Sequence, residues 1–65
     1  MKVIVNSEPR EISGSTLADL LDELGFAGSV VATAVNGQFA PAGTRADRTL
    51  AEGDQVEILA PMQGG

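Results

Sequence analysis

The side chains that usually run chemistry near neutrality are missing from this chain. There is no His, Cys, Trp or Tyr, so no imidazole can titrate there and no thiolate can attack or bind metal. A zinc site would have to be built from carboxylates alone, an unusual ligand set, so no metal site is expected. The remaining candidate is the end of the sequence, Gly64-Gly65. An α-carboxylate there is ionised (pKa about 3.3–3.7) and a poor electrophile, because oxide is a bad leaving group. Another enzyme must activate it, for example as an acyl-adenylate. To reach a buried ATP site the chain end must thread a narrow channel, and glycine suits one because it has no Cβ. Residues 61–65 extend at most about 16–18 Å, and Pro61 stiffens their base. The dipeptide alone is equally a flexible end or a cloning remnant.

Size and charge narrow the field further. A chain of 65 residues makes one small domain, which buries only about 60% of the surface it exposes when unfolded. An internal catalytic pocket of roughly 300–1,000 Å³ would compete with that core for side chains, which argues against a self-contained enzyme. Nine Asp/Glu against four Lys/Arg give a net charge of −5. That balance disfavours nucleic acid and anionic membrane surfaces as partners and suits a partner with a basic docking face. The apolar runs Val30–Val35 and Ile58–Met62 fall far short of the roughly 20 residues of a membrane span, and the N-terminus is too short in apolar residues for a signal peptide. The absence of Cys fits a reducing compartment, and a cytoplasmic protein, monomeric on its own, is expected.

The elements that would carry the chain end can be read in order. Val3-Ile4-Val5 is β-branched and reads as a strand over Lys2–Asn6. Asn6-Ser7-Glu8-Pro9 reads as a turn, with a short return strand over Arg10–Ile12 and Pro9 in the turn or at an edge. Leu17, Leu20, Leu21 and Leu24 form one apolar stripe at helical spacing. Thr16 with Asp19 resembles a capping box, and Gly25 reads as a left-handed cap. Ser29–Val35 is the next strand, with either Val31 and Val35 or Val30, Ala32 and Ala34 facing inward, the first set being preferred. Asn36-Gly37 is a two-residue hairpin turn, Gln38–Ala40 the return strand, and Pro41 its end. Ala42–Thr49 reads as irregular, Leu50 as a core plug, and Glu52-Gly53-Asp54 as a tight turn. Gln55–Ala60 closes the fold, with Val56 and Ile58 on one face and Glu57 and Leu59 on the other. The expected core is Val3, Val5, Ile12, Leu17, Leu20, Leu21, Leu24, Phe39, Leu50, Val56 and Ile58. The order β-β-α-β-β-β predicts an α+β fold, one mixed sheet with one helix across it, over residues 1–60, and a flexible tail over 61–65.

The sequence resembles the ubiquitin-like β-grasp sulfur carriers, most closely the thiamine-biosynthesis (ThiS) type. The resemblance rests on the first strand with Asn6; on Thr16-Leu17-Ala18-Asp19-Leu20-Leu21 with Leu24-Gly25; on Val35-Asn36-Gly37 followed by Pro41; on Leu50, Glu52-Gly53-Asp54 and Val56-Glu57-Ile58; and on Gly64-Gly65. It departs after Pro41, where Ala42 and Gly43 replace the arginine and nearby aromatic of many thiamine-type carriers. The resemblance implies a mixed sheet of about five strands packed on one helix. It also implies that a ThiF-like adenylating enzyme uses ATP-Mg to convert the Gly65 carboxylate to an acyl-AMP. A sulfur donor such as a cysteine desulfurase then leaves a thiocarboxylate, which passes sulfur to a ThiG-like thiazole synthase. The protein itself would be a co-substrate that binds no cofactor. Gly64, Gln63 and Met62 would thread the channel, while Ile4, Leu59 and Met62 would dock partners. Carriers for molybdopterin, cysteine or another metabolite share such a tail, as do β-grasp modifiers and interaction modules.

The other charged residues have plainer readings. Asp19, Asp22 and Glu23 are expected as the solvated helix face, Arg45 and Arg48 as loop solubility, and Glu52 and Asp54 as turn residues.

Overall fold

A computed structural model describes residues 1–60, so the expected tail over 61–65 lies outside the described residues. The elements are β1 (Lys2–Val5), β2 (Glu8–Glu11), α1 (Leu17–Glu23), β3 (Ala32–Val35), β4 (Gln38–Ala40), a 3-10 helix (Ala42–Asp47) and β5 (Gln55–Leu59). They form a five-stranded sheet in the order β2-β1-β5-β3-β4. β1 and β5 run parallel, and every other pair is antiparallel. The strand nearest the C-terminus is therefore the central one, flanked by a hairpin on each side.

Two tight turns build those hairpins. Asn6 and Ser7 have φ of 49° and 71°, and Asn36 and Gly37 have φ of 51° and 82°. Left-handed backbone at both central positions matches the right-handed twist of the strands. The first turn is shorter than the sequence suggested. Glu8 and Pro9 belong to β2, and Pro9 lies opposite Ile4. The Ile4 N–H donates to the Asp54 carbonyl on the β5 side (2.9 Å), so the Ile4–Pro9 pair carries no hydrogen bond. The nitrogen of Pro9 faces outward from an edge strand, where its missing proton leaves no rung empty.

The helix begins as expected. Thr16 Oγ1 accepts from Asp19 N–H at 3.1 Å, and the Asp19 carboxylate accepts from Thr16 N–H at 3.1 Å and Ser15 N–H at 3.0 Å. This is a reciprocal capping box. Glu23 reaches the same loop, accepting from Ser13 N–H at 2.8 Å and Gly14 N–H at 2.6 Å. Asp19 and Glu23 are thus backbone ligands that tie the preceding loop to α1, which corrects their reading as a merely solvated face. Leu24 forms the C-cap, and Gly25 follows at φ 87°.

The core lies between α1 and the inner sheet face. Val3, Val5, Ile12, Leu17, Leu20, Leu21, Leu50, Val56 and Ile58 are buried in it as expected, joined by Val35 and Ala40, with Leu24 half-buried against it. Phe39 is the correction: it is 71% exposed. The two-residue turn sets Thr33 opposite Ala40 and Ala34 opposite Phe39. The inward pair is therefore Thr33 with Ala40, and Phe39 takes the outer face. The same parity selects the odd-numbered residues of 30–35: Val35 and Thr33 are buried, Val31 packs against the core, and Val30 is 79% exposed.

The connection 42–49 is also more regular than expected, because six of its residues form the 3-10 helix. Arg45 explains its placement. Its Nε donates to Thr33 Oγ1 at 3.1 Å and its Nη2 to the Val31 carbonyl at 2.6 Å, while Thr33 Oγ1 donates to the Ala40 carbonyl at 2.8 Å. Arg45 is a clamp between this helix and β3, which corrects its reading as a solvated loop charge.

Candidate functional site

The tail residues singled out by sequence, Met62, Gln63, Gly64 and Gly65, lie outside the described residues. What can be described is the base from which they continue, the end of β5. Both edges of β5 are held by asparagine side chains. Asn36 donates its backbone N–H to the Gln55 carbonyl at 2.7 Å. Its Oδ1 accepts from Gln55 N–H at 2.9 Å, and its Nδ2 donates to Asp54 Oδ1 at 3.1 Å. On the other edge the Asn6 carboxamide accepts from Ile58 N–H at 2.8 Å and donates to the Ile58 carbonyl at 3.1 Å. The sequence marked both asparagines as turn residues. Their second task, seating the central strand, depends on a contact across 52 residues for Asn6 and has no local signal.

Leu59 is 70% exposed on the outer sheet face, opposite Ala32 of β3. With Val30, Val31, Ala32 and Ala60 it lines an apolar depression of about 310 Å³. Ala60 is the last described residue, so this depression lies at the root of the tail. Ile4 belongs elsewhere. It is half-buried and lies opposite Gln55, four positions before Leu59 along β5, a separation of roughly 13 Å at about 3.3 Å per residue. There it borders a second hollow of about 410 Å³, lined also by Asn6, Ser7, Gly37, Gln55, Val56 and Glu57. The outer face therefore holds two regions, the apolar depression around Leu59 and Val30 and the hollow beside Ile4. Phe39, Val30 and Leu59 are the large exposed apolar side chains among the described residues.

The acidic residues supply no acid–base pair. Glu52 Oε1 accepts from Lys2 N–H at 3.0 Å, and Asp54 Oδ2 accepts from Ala51 N–H at 2.8 Å. The Ala51 N–H and then the Asn36 carboxamide hold Asp54 below the ordinary 3.8, and Arg48 adds to this. Among the described residues no cluster of three potential ligands could hold a metal ion. No described helix is long and apolar enough to cross a membrane.

Comparison with known proteins follows the geometry closely. The ThiS family model matches residues 3–65. The chain is 41% identical over 63 residues to the sulfur carrier protein ThiS of Thermus thermophilus, covering 97% of this chain and 98% of that one. It is also 38% identical over an alignment of 66 positions to a thiazole synthase of Paramagnetospirillum magneticum, spanning all of this chain but 20% of that protein. Among solved structures, the crystal structure of the thiamine biosynthesis protein ThiS from Geobacter metallireducens superposes with a TM-score of 0.83 at 30% identity, with both chains fully covered. The fold is the ubiquitin-like β-grasp.

Proposed function

The chain belongs to the ThiS family and is a sulfur carrier of thiamine biosynthesis, and from that premise we propose that Gly65 carries the sulfur as a C-terminal thiocarboxylate. The observation that supports this most is that the family match runs to residue 65, so the terminal Gly64-Gly65 falls inside it.

The chemistry balances as follows. A Gly65 carboxylate oxygen attacks the α-phosphorus of ATP in a ThiF-like adenylating enzyme, and pyrophosphate leaves. The acyl-AMP is now electrophilic, because AMP is a good leaving group where oxide was not. The terminal sulfur of a persulfide, supplied by a cysteine desulfurase, attacks the acyl carbon and AMP departs. A thiol then reduces the resulting S–S bond and frees the thiocarboxylate. The protein is a co-substrate in this scheme, and ATP-Mg belongs to the partner. Gly64, Gln63 and Met62 thread the partner's channel, and the exposed apolar residues Leu59, Phe39 and Val30 dock it together with Ile4 of the neighbouring hollow. A ThiG-like thiazole synthase is the acceptor, consistent with the segment matched in the thiazole synthase of P. magneticum. The reading puts the protein in the cytoplasm, where ATP and reducing thiols are available together.

Deleting Gly65, or adding one residue after it, tests this reading. Both variants should keep the native fold, yet support no ATP–pyrophosphate exchange with the adenylating enzyme. Exchange at the wild-type rate by either variant would remove Gly65 from the mechanism.

A further inference from the structure

β1 stops pairing with β5 at Val5, opposite Val56. There the backbone turns away, with Asn6 at φ 49°. Its N–H still donates to the Val56 carbonyl at 2.9 Å. The next rung of a parallel ladder would need a peptide group that the turn has removed. The Asn6 carboxamide takes that place: Oδ1 accepts from Ile58 N–H at 2.8 Å and Nδ2 donates to the Ile58 carbonyl at 3.1 Å. One side chain thus offers the donor and the acceptor of a missing peptide, and carries the β1 edge two residues further along β5. On the opposite edge β3 holds Leu59 through Ala32. Without the carboxamide, the end of β5 would be seated on one side only.

We propose that Asn6 is a positioning residue for the modification of Gly65, its carboxamide fixing the direction in which β5 hands over to the C-terminal arm. This rests on the functional reading above. Docking through the outer face sets the globule on the partner, and the heading of β5 then sets where the arm starts. Residues 61–65 can reach at most about 16–18 Å, so the point and heading at which β5 ends set the region within which Gly65 can be presented. A displacement of about 1 Å from reactive geometry can cost on the order of a hundredfold in rate.

The test compares three carriers in adenylation kinetics with a ThiF-like enzyme, ATP and Mg²⁺, reading AMP and pyrophosphate. Asn6→Gly keeps the left-handed turn and removes the carboxamide. Asn6→Asp keeps an acceptor for Ile58 N–H but turns an oxygen toward the Ile58 carbonyl. Asn36→Gly removes the matching clamp from the other end of β5 and controls for general loss of stability. The expected result is a fall in kcat of about tenfold or more for Asn6→Gly, with KM for the carrier within about twofold. Asn6→Asp should fall between, and Asn36→Gly should match wild type. Amide exchange at Ile58 should quicken in Asn6→Gly, which removes the acceptor of that N–H, and less in Asn6→Asp. Wild-type kcat in Asn6→Gly, a change confined to KM, or an equal loss in Asn36→Gly would each overturn the proposal while leaving the carrier reading intact. A wild-type carrier that yields no AMP would overturn both.

Discussion

Asp19 carries a structural load out of proportion to its exposure. The N–H groups of Ser15 and Thr16, followed by the Thr16 hydroxyl, hold its carboxyl below the ordinary 3.8. Asp54 is held down in the same sense by Ala51 N–H and Asn36. Both groups bind protons less readily folded than unfolded, so the unfolded chain takes up more protons as pH falls through this range. Their contribution to stability is fully present above 3.8 and lost as pH drops through the lower folded values. Urea midpoints should be flat from neutrality to about pH 5 and then decline, and Asp19→Ala should show a shallower decline. Gly14 depends on the same carboxylate. A Cβ there would lie 2.7 Å from Asp19 Cγ and closer still to Asp19 Cβ, so Gly14→Ala should destabilise by about 1–3 kcal/mol, readable as a lower thermal midpoint. The capping box was legible because Thr16 and Asp19 are three residues apart and belong to one turn. Glu23 was not, because its partners Ser13 and Gly14 are brought to it by the path of a loop.

At the scale of elements, the sequence carried more about the hairpins than a reading by hydrophobicity extracts. Size and apolarity alone put Phe39 in the core. Yet Asn36-Gly37, read as a two-residue turn, already pairs Val35 with Gln38 and Ala34 with Phe39. Once Val35 is taken as inward, Phe39 must point out. The order of the strands had no local signal: two hairpins around one helix leave a last strand the outer edges as well as the central gap, and the structure sets β5 between β1 and β3. The 3-10 helix had no comparable signal, because its stabilising contact runs from its own Arg45 guanidinium to Thr33 and the Val31 carbonyl, more than ten residues earlier. Arg45→Ala should cost about 1–3 kcal/mol through the lost charged hydrogen bonds, measured by denaturant unfolding, with Arg45→Lys recovering only part. The exposed apolar residues behave in the opposite way. Phe39→Ser and Leu59→Ser remove exposed surface and should change stability by no more than about 0.5 kcal/mol, while weakening binding to the adenylating enzyme in a titration. Loss of stability with unchanged binding would place those side chains in the fold rather than the interface.

The whole molecule is a small acidic platform, and under the proposed function its chemistry is done by others. Among the described residues its core closes by Ile58, two residues before the described chain ends. A net charge of −5 favours a partner with a basic face, and association should then slow steeply between low and physiological salt, which stopped-flow binding would register. Sequence alone reached this architecture through the order of its strands and helix and through the family resemblance, while the empty catalytic inventory and Gly64-Gly65 pointed to the chemistry. It could not reach the seating of β5 by Asn6, which requires the two ends of the chain to meet. The central claim is that Gly65 becomes a thiocarboxylate. Its most direct test is the intact mass of the protein after incubation with ATP-Mg, the adenylating enzyme and sulfide. Thiocarboxylate formation predicts a gain equal to exchanging one oxygen for one sulfur, located at Gly65 by fragmentation. An unchanged mass, with an enzyme proven active on another carrier, would contradict it.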